Sequence, residues 1–292
     1  MQWPVQPGLV RDTKVGGQLL WDPARKRVWL FLVQIRLSVG RAGGCIGDGQ
    51  HPNGLLLAHS TDLGRSFSPP RNLSELVAPQ WPSLCVAPSG GNAVLALDSG
   101  ELLLLADVAG TDPRQPTTGG ELLIRVQEVE GELRANVSRS LLQPCEFGGA
   151  RCRFDEAAMA LLTPRGGAGD TARLFVVLRA DPNVAGLFAS STSTDGGTSF
   201  SPAHFHTGLT SVDCQPSAVA LAGTSALLIA APHIASAGLR TSDRGNMTLV
   251  RSTDGGRTFD QEQVVYAGPS MYSNLADGGN GDALLLFERA GR

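Results

Sequence analysis

One eight-residue pattern occurs three times in this chain. Ser60-Thr-Asp62-Leu-Gly64-Arg-Ser66-Phe67 returns as Ser193-Thr-Asp195-Gly-Gly197-Thr-Ser199-Phe200 and again as Ser252-Thr-Asp254-Gly-Gly256-Arg-Thr258-Phe259. The copies start 133 and 59 residues apart, and one degenerate copy inside the longer interval brings the mean period to 64 residues. Ile124-Arg-Val-Gln-Glu-Val-Glu-Gly131 fits that place; one period before Ser60 falls just ahead of residue 1, leaving Trp3 as the tail of a further copy. Each copy reads as a hairpin turn. The Asp side chain bonds the amides of its own turn, Gly takes the positive-φ position, and the aromatic plugs the gap between strands. Units of this length with one such turn each predict a β-propeller of four-stranded blades.

The rest of the chain agrees. Glycine and proline punctuate short apolar runs such as Val28–Val33, Leu102–Leu105, Leu174–Leu178, Ala226–Ile229 and Leu284–Phe287, each of strand length. No amphipathic helix longer than about three turns is evident. The whole of 1–292 reads as one all-β domain, and 42% hydrophobic against 17% charged residues is a globular balance rather than a disordered one. A net charge of −3 argues against a nucleic-acid partner, which calls for a basic excess. The basic residues are nearly all arginine, which suits planar recognition of carboxylates.

No apolar stretch is long enough for a transmembrane helix, and the first residues show no secretory signal. Three sequons begin at Asn72, Asn136 and Asn246, and the compartment is left open. Of five cysteines, Cys145 and Cys152 could pair, and buried free thiols are an equal alternative. No metal is expected, because no His, Cys or Asp cluster has ligand spacing, and no glycine motif for a nucleotide follows a strand into a helix. His204-x-His206 reads as an isolated exposed pair, and the glycine-rich segments read as turns.

The repeated element resembles the Asp-box, or BNR repeat, of the sialidases. The last third of the chain resembles that family in order. Cys214-Gln-Pro-Ser217 is followed by Ala231-Pro232 and Arg244-Gly-Asn246-Met-Thr248, then the third box, Met271-Tyr272-Ser273-Asn274-Leu275 and Leu286-Phe287-Glu288. Upstream, Asp155-Glu156 before a strand ending at Leu178-Arg179, and Pro88-Ser-Gly-Gly91 before the strand at 94–105, are similar to further family segments. The resemblance implies a six-bladed sialidase propeller with about five blades in this chain. It implies an exo-α-sialidase that releases terminal sialic acid from glycoproteins, gangliosides or oligosaccharides.

A sialoside carries a carboxylate on its anomeric carbon, so a carboxylate nucleophile would meet like charge; sialidases use tyrosine instead. The resemblance makes Tyr272 the nucleophile and Glu156 its general base. It assigns Arg179 and Arg244 to the substrate carboxylate, with Arg240 as runner-up to Arg244, and makes Glu288 the orienter of a further arginine. That further arginine and an aspartate acid/base lie upstream of the first box in the family. Arg11-Asp12 does not match their motif, and Asp22 in Leu20-Trp21-Asp22-Pro23 reads as a turn residue. The expectation is therefore an incomplete N-terminal blade and a missing C-terminal closing strand. The competing function is a non-catalytic Asp-box propeller that binds glycans or proteins. A glycosidase or lyase of another propeller family would need facing carboxylates, which Asp155 and Glu156, as strand neighbours, are not expected to provide.

Overall fold

The computed structural model describes residues 13–36, 55–80, 86–108, 120–141, 143–162, 171–181, 186–233 and 244–289. Arg11, Asp12, Trp3, Arg240, Cys45 and Cys85 lie outside them. The described chain is built from antiparallel sheets in which sequence neighbours pair. The first sheet holds β1 (Thr13–Asp22), β2 (Arg27–Arg36), β3 (Leu55–Ser60) and β4 (Arg71–Asn72), followed by a single helical turn, α1 (Ser74–Val77). The second holds β5 (Val86–Pro88), β6 (Val94–Ala96), β7 (Leu102–Val108), β8 (Gly120–Val129) and β9 (Glu132–Ser138). The third runs from β10 (Cys145–Phe147) and β11 (Ala150–Leu161) through β12 (Leu174–Asp181) and β13 (Leu187–Ser193) to β14 (His204–Thr210). The fourth holds β15 (Ser217–Ala220), β16 (Leu227–Pro232), β17 (Gly245–Ser252), β18 (Gln261–Gly279) and β19 (Asp282–Arg289).

These sheets are the blades of a β-propeller, four in number among the described residues rather than about five. The difference lies in β18. Its first half pairs with β17, from Gln261 to Pro269, and its second half pairs with β19, from Ser270 to Gly279. One strand thus closes the fourth blade and then departs as a hairpin.

The unbroken apolar runs have a simple cause: each central strand is covered on both faces. On β7, Leu102, Leu104 and Ala106 pack toward the first blade with Phe31, Leu55 and Leu57, while Leu103 and Leu105 pack toward the third with Phe154, Met159 and Val176. On β12, Leu174, Val176 and Leu178 join that second layer, and Phe175 and Val177 pack against Leu227, Ile229 and Val250 of the fourth blade. The outer faces of the stack are bare. Leu19 and Trp21 on β1, and Leu284 and Leu286 on β19, are exposed.

The three repeats form the same turn, between β3 and β4, between β13 and β14, and between β17 and β18. In each, the first Ser donates to the Asp carboxylate at 2.7–2.8 Å and accepts the amide of the second Gly position (Gly64, Gly197 or Gly256) at 2.7–2.9 Å. The Asp then accepts both the amide and the hydroxyl of Ser66, Ser199 or Thr258. These bonds hold all three carboxylates well below their usual pKa range. The degenerate copy forms no such turn, since its residues 124–129 lie within β8 and only its last two are in the hairpin that follows. There Glu130 and Gly131, both at positive φ, make a two-residue hairpin between β8 and β9 in place of the side-chain ring.

Asp22 is a turn residue, accepting the amides of Ala24 and Arg25 and the indole N–H of Trp29. Cys145 and Cys152 are disulfide-bonded across the β10–β11 hairpin, and Cys214 is a buried thiol. The expectation for His206 fails. His206 is buried rather than exposed, because it fills the seam between β13 and the third box, where its Nε2 meets Ser190 Oγ at 2.6 Å and its ring meets Phe259. Burial, with His204 beside it, pushes its pKa down to about 4.

The boxes differ in how tightly they are packed. Gly256 and Gly64 both sit at positive φ, but a Cβ at Gly256 would strike the Phe175 ring, whereas at Gly64 it would meet open space. Gly256→Ala is expected to cost ~2–4 kcal/mol and Gly64→Ala about 1 kcal/mol in urea unfolding; equal losses would contradict the interlocked seam.

Candidate active site

The loop Ser89–Asn92 lies where the inner strands meet, and its glycines are dictated by close approach. A Cβ on Gly90 would stand 2.7 Å from the Glu156 carbonyl oxygen, and one on Gly91 would overlap the Ser273 carbonyl oxygen. Asn92, at φ 62°, then takes the place of a strand partner. Its side chain accepts the Leu275 amide at 2.9 Å and donates to the Leu275 carbonyl at 2.5 Å, while its own amide reaches Asn274 Oδ1 at 3.0 Å. Ser217 and Ser273 add a hydroxyl contact of 2.8 Å from β15 to β18.

Both strands clamped by this loop are bulged at the residue of interest. On β11 the register passes from Asp155↔Arg179 directly to Ala158↔Val177, with Glu156 at φ 41°. On β18 it passes from Ser270↔Arg289 to Ser273↔Phe287, which frees Met271 and Tyr272. Bulges re-aim side chains that strict alternation would send elsewhere. The result brings Tyr272 Oη within 3.2 Å of Glu156 Oε1, to which it donates.

Arg179, almost fully buried on β12, is the centre of charge. Its Nη1 donates to Glu156 Oε2, and its Nε (2.9 Å) and Nη2 both donate to Asp213 Oδ1. Asp155 lies 3.6 Å from its Nε and is itself 3.7 Å from Arg153. Asp155 and Glu156 therefore both face Arg179, contrary to the expectation from strand alternation, and the bulge between them is the reason. Burial alone would lower the Arg179 pKa, but Asp155, Glu156 and Asp213 outweigh it and hold the guanidinium firmly charged.

Arg244 stands just before β17. Its Nη2 donates to the Asp213 carbonyl, and its guanidinium carbon lies 5.7 Å from the centre of the Tyr272 ring. Half-buried Tyr272 has its pKa raised, first by desolvation and then by the negative charge of Glu156. Burial pushes the neighbouring Cys214 thiol up to about 12, so it stays protonated.

Four of the five residues singled out from sequence thus converge: Glu156, Arg179, Arg244 and Tyr272. Glu288 does not join them. It is exposed near the end of β19 and makes no ion pair with a described residue. Asp213, which joins Arg179 to Arg244, escaped the sequence reading, although it directly precedes Cys214-Gln-Pro-Ser217. Among the described residues no group of three or more His, Cys, Asp or Glu could hold a metal.

A family model described as a BNR repeat-like domain matches residues 9–285. The chain belongs to the BNR repeat-like family. Its propeller is of the sialidase type. A Hadza microbial sialidase, Hz136, superposes with a TM-score of 0.69 at 22% identity over 90% of this chain. An intramolecular trans-sialidase from Ruminococcus gnavus, solved with oseltamivir carboxylate, gives 0.62 at 14% identity over 97% of this chain and 75% of its own. The NanB sialidase of Streptococcus pneumoniae gives 0.56 at 19% identity over 80%. This chain spans 48% of the length of the Hadza protein and 32% of NanB. A sequence search of curated proteins gives no match. No helix among the described residues is long and apolar enough to cross a membrane.

Arg179, at a side-chain exposure of only 10%, faces three carboxylates, and removing it leaves their mutual repulsion without its largest offset. Arg179→Ala is expected to lower folding stability by ~3–5 kcal/mol in denaturant unfolding at neutral pH. A loss within error would show that the cluster is open to solvent.

Proposed function

We propose that the chain carries the nucleophile side of an exo-α-sialidase site, acting on terminal sialic acid of glycoproteins, gangliosides or oligosaccharides. The observation that carries this reading is the Tyr272–Glu156 hydrogen bond of 3.2 Å. The pKa of Tyr272 is raised, so its phenol is neutral at physiological pH and approaches the carboxylate-bearing anomeric carbon without repulsion. Neutral phenol is a poor nucleophile. Glu156 takes its proton as the bond to the anomeric carbon forms and the glycosidic C–O bond breaks, the aglycone oxygen leaving with a proton from a separate general acid; Glu156 returns the proton to the phenol when water releases the sugar. This is retaining hydrolysis through a tyrosine, and it requires neither metal nor organic cofactor.

Arg179 and Arg244 are the candidates to hold the substrate carboxylate. Arg179 has one N–H from each of its three nitrogens committed to Glu156 and Asp213, which leaves one further N–H on each terminal nitrogen. Asp213 keeps the two arginines together and fixes the direction of the Arg179 fork. A module that only bound glycans would have no use for a carboxylate on the phenol, so the same contact favours catalysis over the binding-module reading.

Tyr272→Phe is expected to remove most hydrolysis of a fluorogenic sialoside while binding of a sialic-acid-like inhibitor changes little. Arg244→Ala should weaken binding instead, because a substrate carboxylate would lose a charged partner. Unchanged turnover in Tyr272→Phe would overturn the assignment.

A further inference from the structure

The bulge that aims Glu156 creates a need elsewhere. Glu156 and Ala157 have no paired residues on β12, yet Ala157 is fully buried, and a buried amide must find an acceptor. Its partners come from the second blade. The Ala157 N–H lies within hydrogen-bonding reach of Ser89 Oγ and, at 3.2 Å, of Glu121 Oε1; Ser89 Oγ in turn donates to the same carboxyl oxygen at 2.6 Å. Glu121 sits on β8 with no exposed surface, directly across the β7–β8 pair from Asp107. Neither Glu121 nor Ser89 touches the Tyr272–Glu156–arginine cluster, so nothing in that chemistry accounts for a carboxyl buried here.

We propose that Glu121, working with Ser89, is a positioning residue: it satisfies the amide freed by the bulge and thereby holds Glu156 against Tyr272 and Arg179. The proposal rests on the reading of Glu156 as the base for Tyr272. Burial favours the neutral form of the Glu121 carboxyl. Burial, the charge of Asp107 on β7 and that of Asp155 on β11 all push its pKa well up, while the bonds from Ser89 and Ala157 pull the other way and lose. The sign follows. With a folded pKa above the unfolded one, Glu121 contributes stability that is fully present below the unfolded value and is lost as pH rises through the folded value. Glutamine has the same shape and the same acceptor without the titrating proton, so Glu121→Gln should keep the bulge and escape the loss at rising pH. Leucine fills the space and accepts nothing.

The test reads Tyr272 directly. The chain has two tyrosines, so in a Tyr266→Phe background the ultraviolet phenolate titration reports Tyr272 alone. Glu121→Leu is expected to move that titration down toward the ordinary phenol range, because Glu156 and its charge swing away. Glu121→Gln is expected to leave it raised. Sialoside kcat/KM should fall ~100-fold in Glu121→Leu and stay within a few-fold of the parent in Glu121→Gln, as for a base displaced by about 1 Å. The titration needs no substrate, so a chain that hydrolyses nothing but shows these shifts would separate failure of the sialidase reading from failure of this one. A folded Glu121→Leu protein with an unchanged Tyr272 titration overturns the proposal. If Glu121→Leu does not fold, Ser89→Ala takes its place. Exchange of the Ala157 amide about tenfold faster than in the parent supports the proposal, and unchanged exchange overturns it.

Discussion

The site depends on a stretch of backbone that carries no side chains. Gly90 and Gly91 pass so close to the carbonyls of Glu156 and Ser273 that any Cβ would push one strand or the other away. That contact lets β11 and β18, whose key residues stand 116 positions apart, lie within one hydrogen bond of each other. Asn92 completes the clamp by pairing with Leu275 as a neighbouring strand would. The blades supply the rigidity behind it. Their central strands β7 and β12 are apolar on both faces and are fixed by packing from two sides.

Electrostatics then sort the side chains. Arg179 is buried and surrounded by Asp155, Glu156 and Asp213, so it is charged and its direction is set. Tyr272 sits at the edge of the same cluster, where burial and the Glu156 charge keep it neutral. A neutral phenol hydrogen-bonded to a carboxylate, with two guanidiniums close by, is the arrangement that the proposed anionic substrate calls for.

Much of this was legible in the sequence because its signals are local. A Ser-x-Asp-x-Gly turn closes on itself within eight residues, and all three copies form the expected ring of bonds. Apolar runs punctuated by glycine and proline became the strands β2, β7, β12, β16 and β19. What stayed hidden depends on register and on contacts between blades. No local pattern marks the bulges at Glu156 and Tyr272, and without them Asp155 and Glu156 were expected on opposite faces. Asp213 is one acidic residue in a polar loop until Arg179 and Arg244 are seen to meet on it. Glu121 reads as an ordinary strand residue until the Ala157 amide needs an acceptor. His206 reads as exposed until the third box closes over it.

The account's central claim is that Tyr272 is a nucleophile primed by Glu156. The most direct measurement is peptide mass spectrometry after incubation with a sialosyl fluoride bearing a second fluorine beside the anomeric carbon. Fluoride departs without a proton, so the experiment isolates the nucleophile from any general acid, and the neighbouring fluorine slows release of the glycosyl intermediate. The expected result is one sialosyl adduct, on the peptide containing Tyr272, absent in Glu156→Gln or formed far more slowly there. A stable adduct on another residue, or an adduct on Tyr272 that forms equally fast without Glu156, would contradict the account.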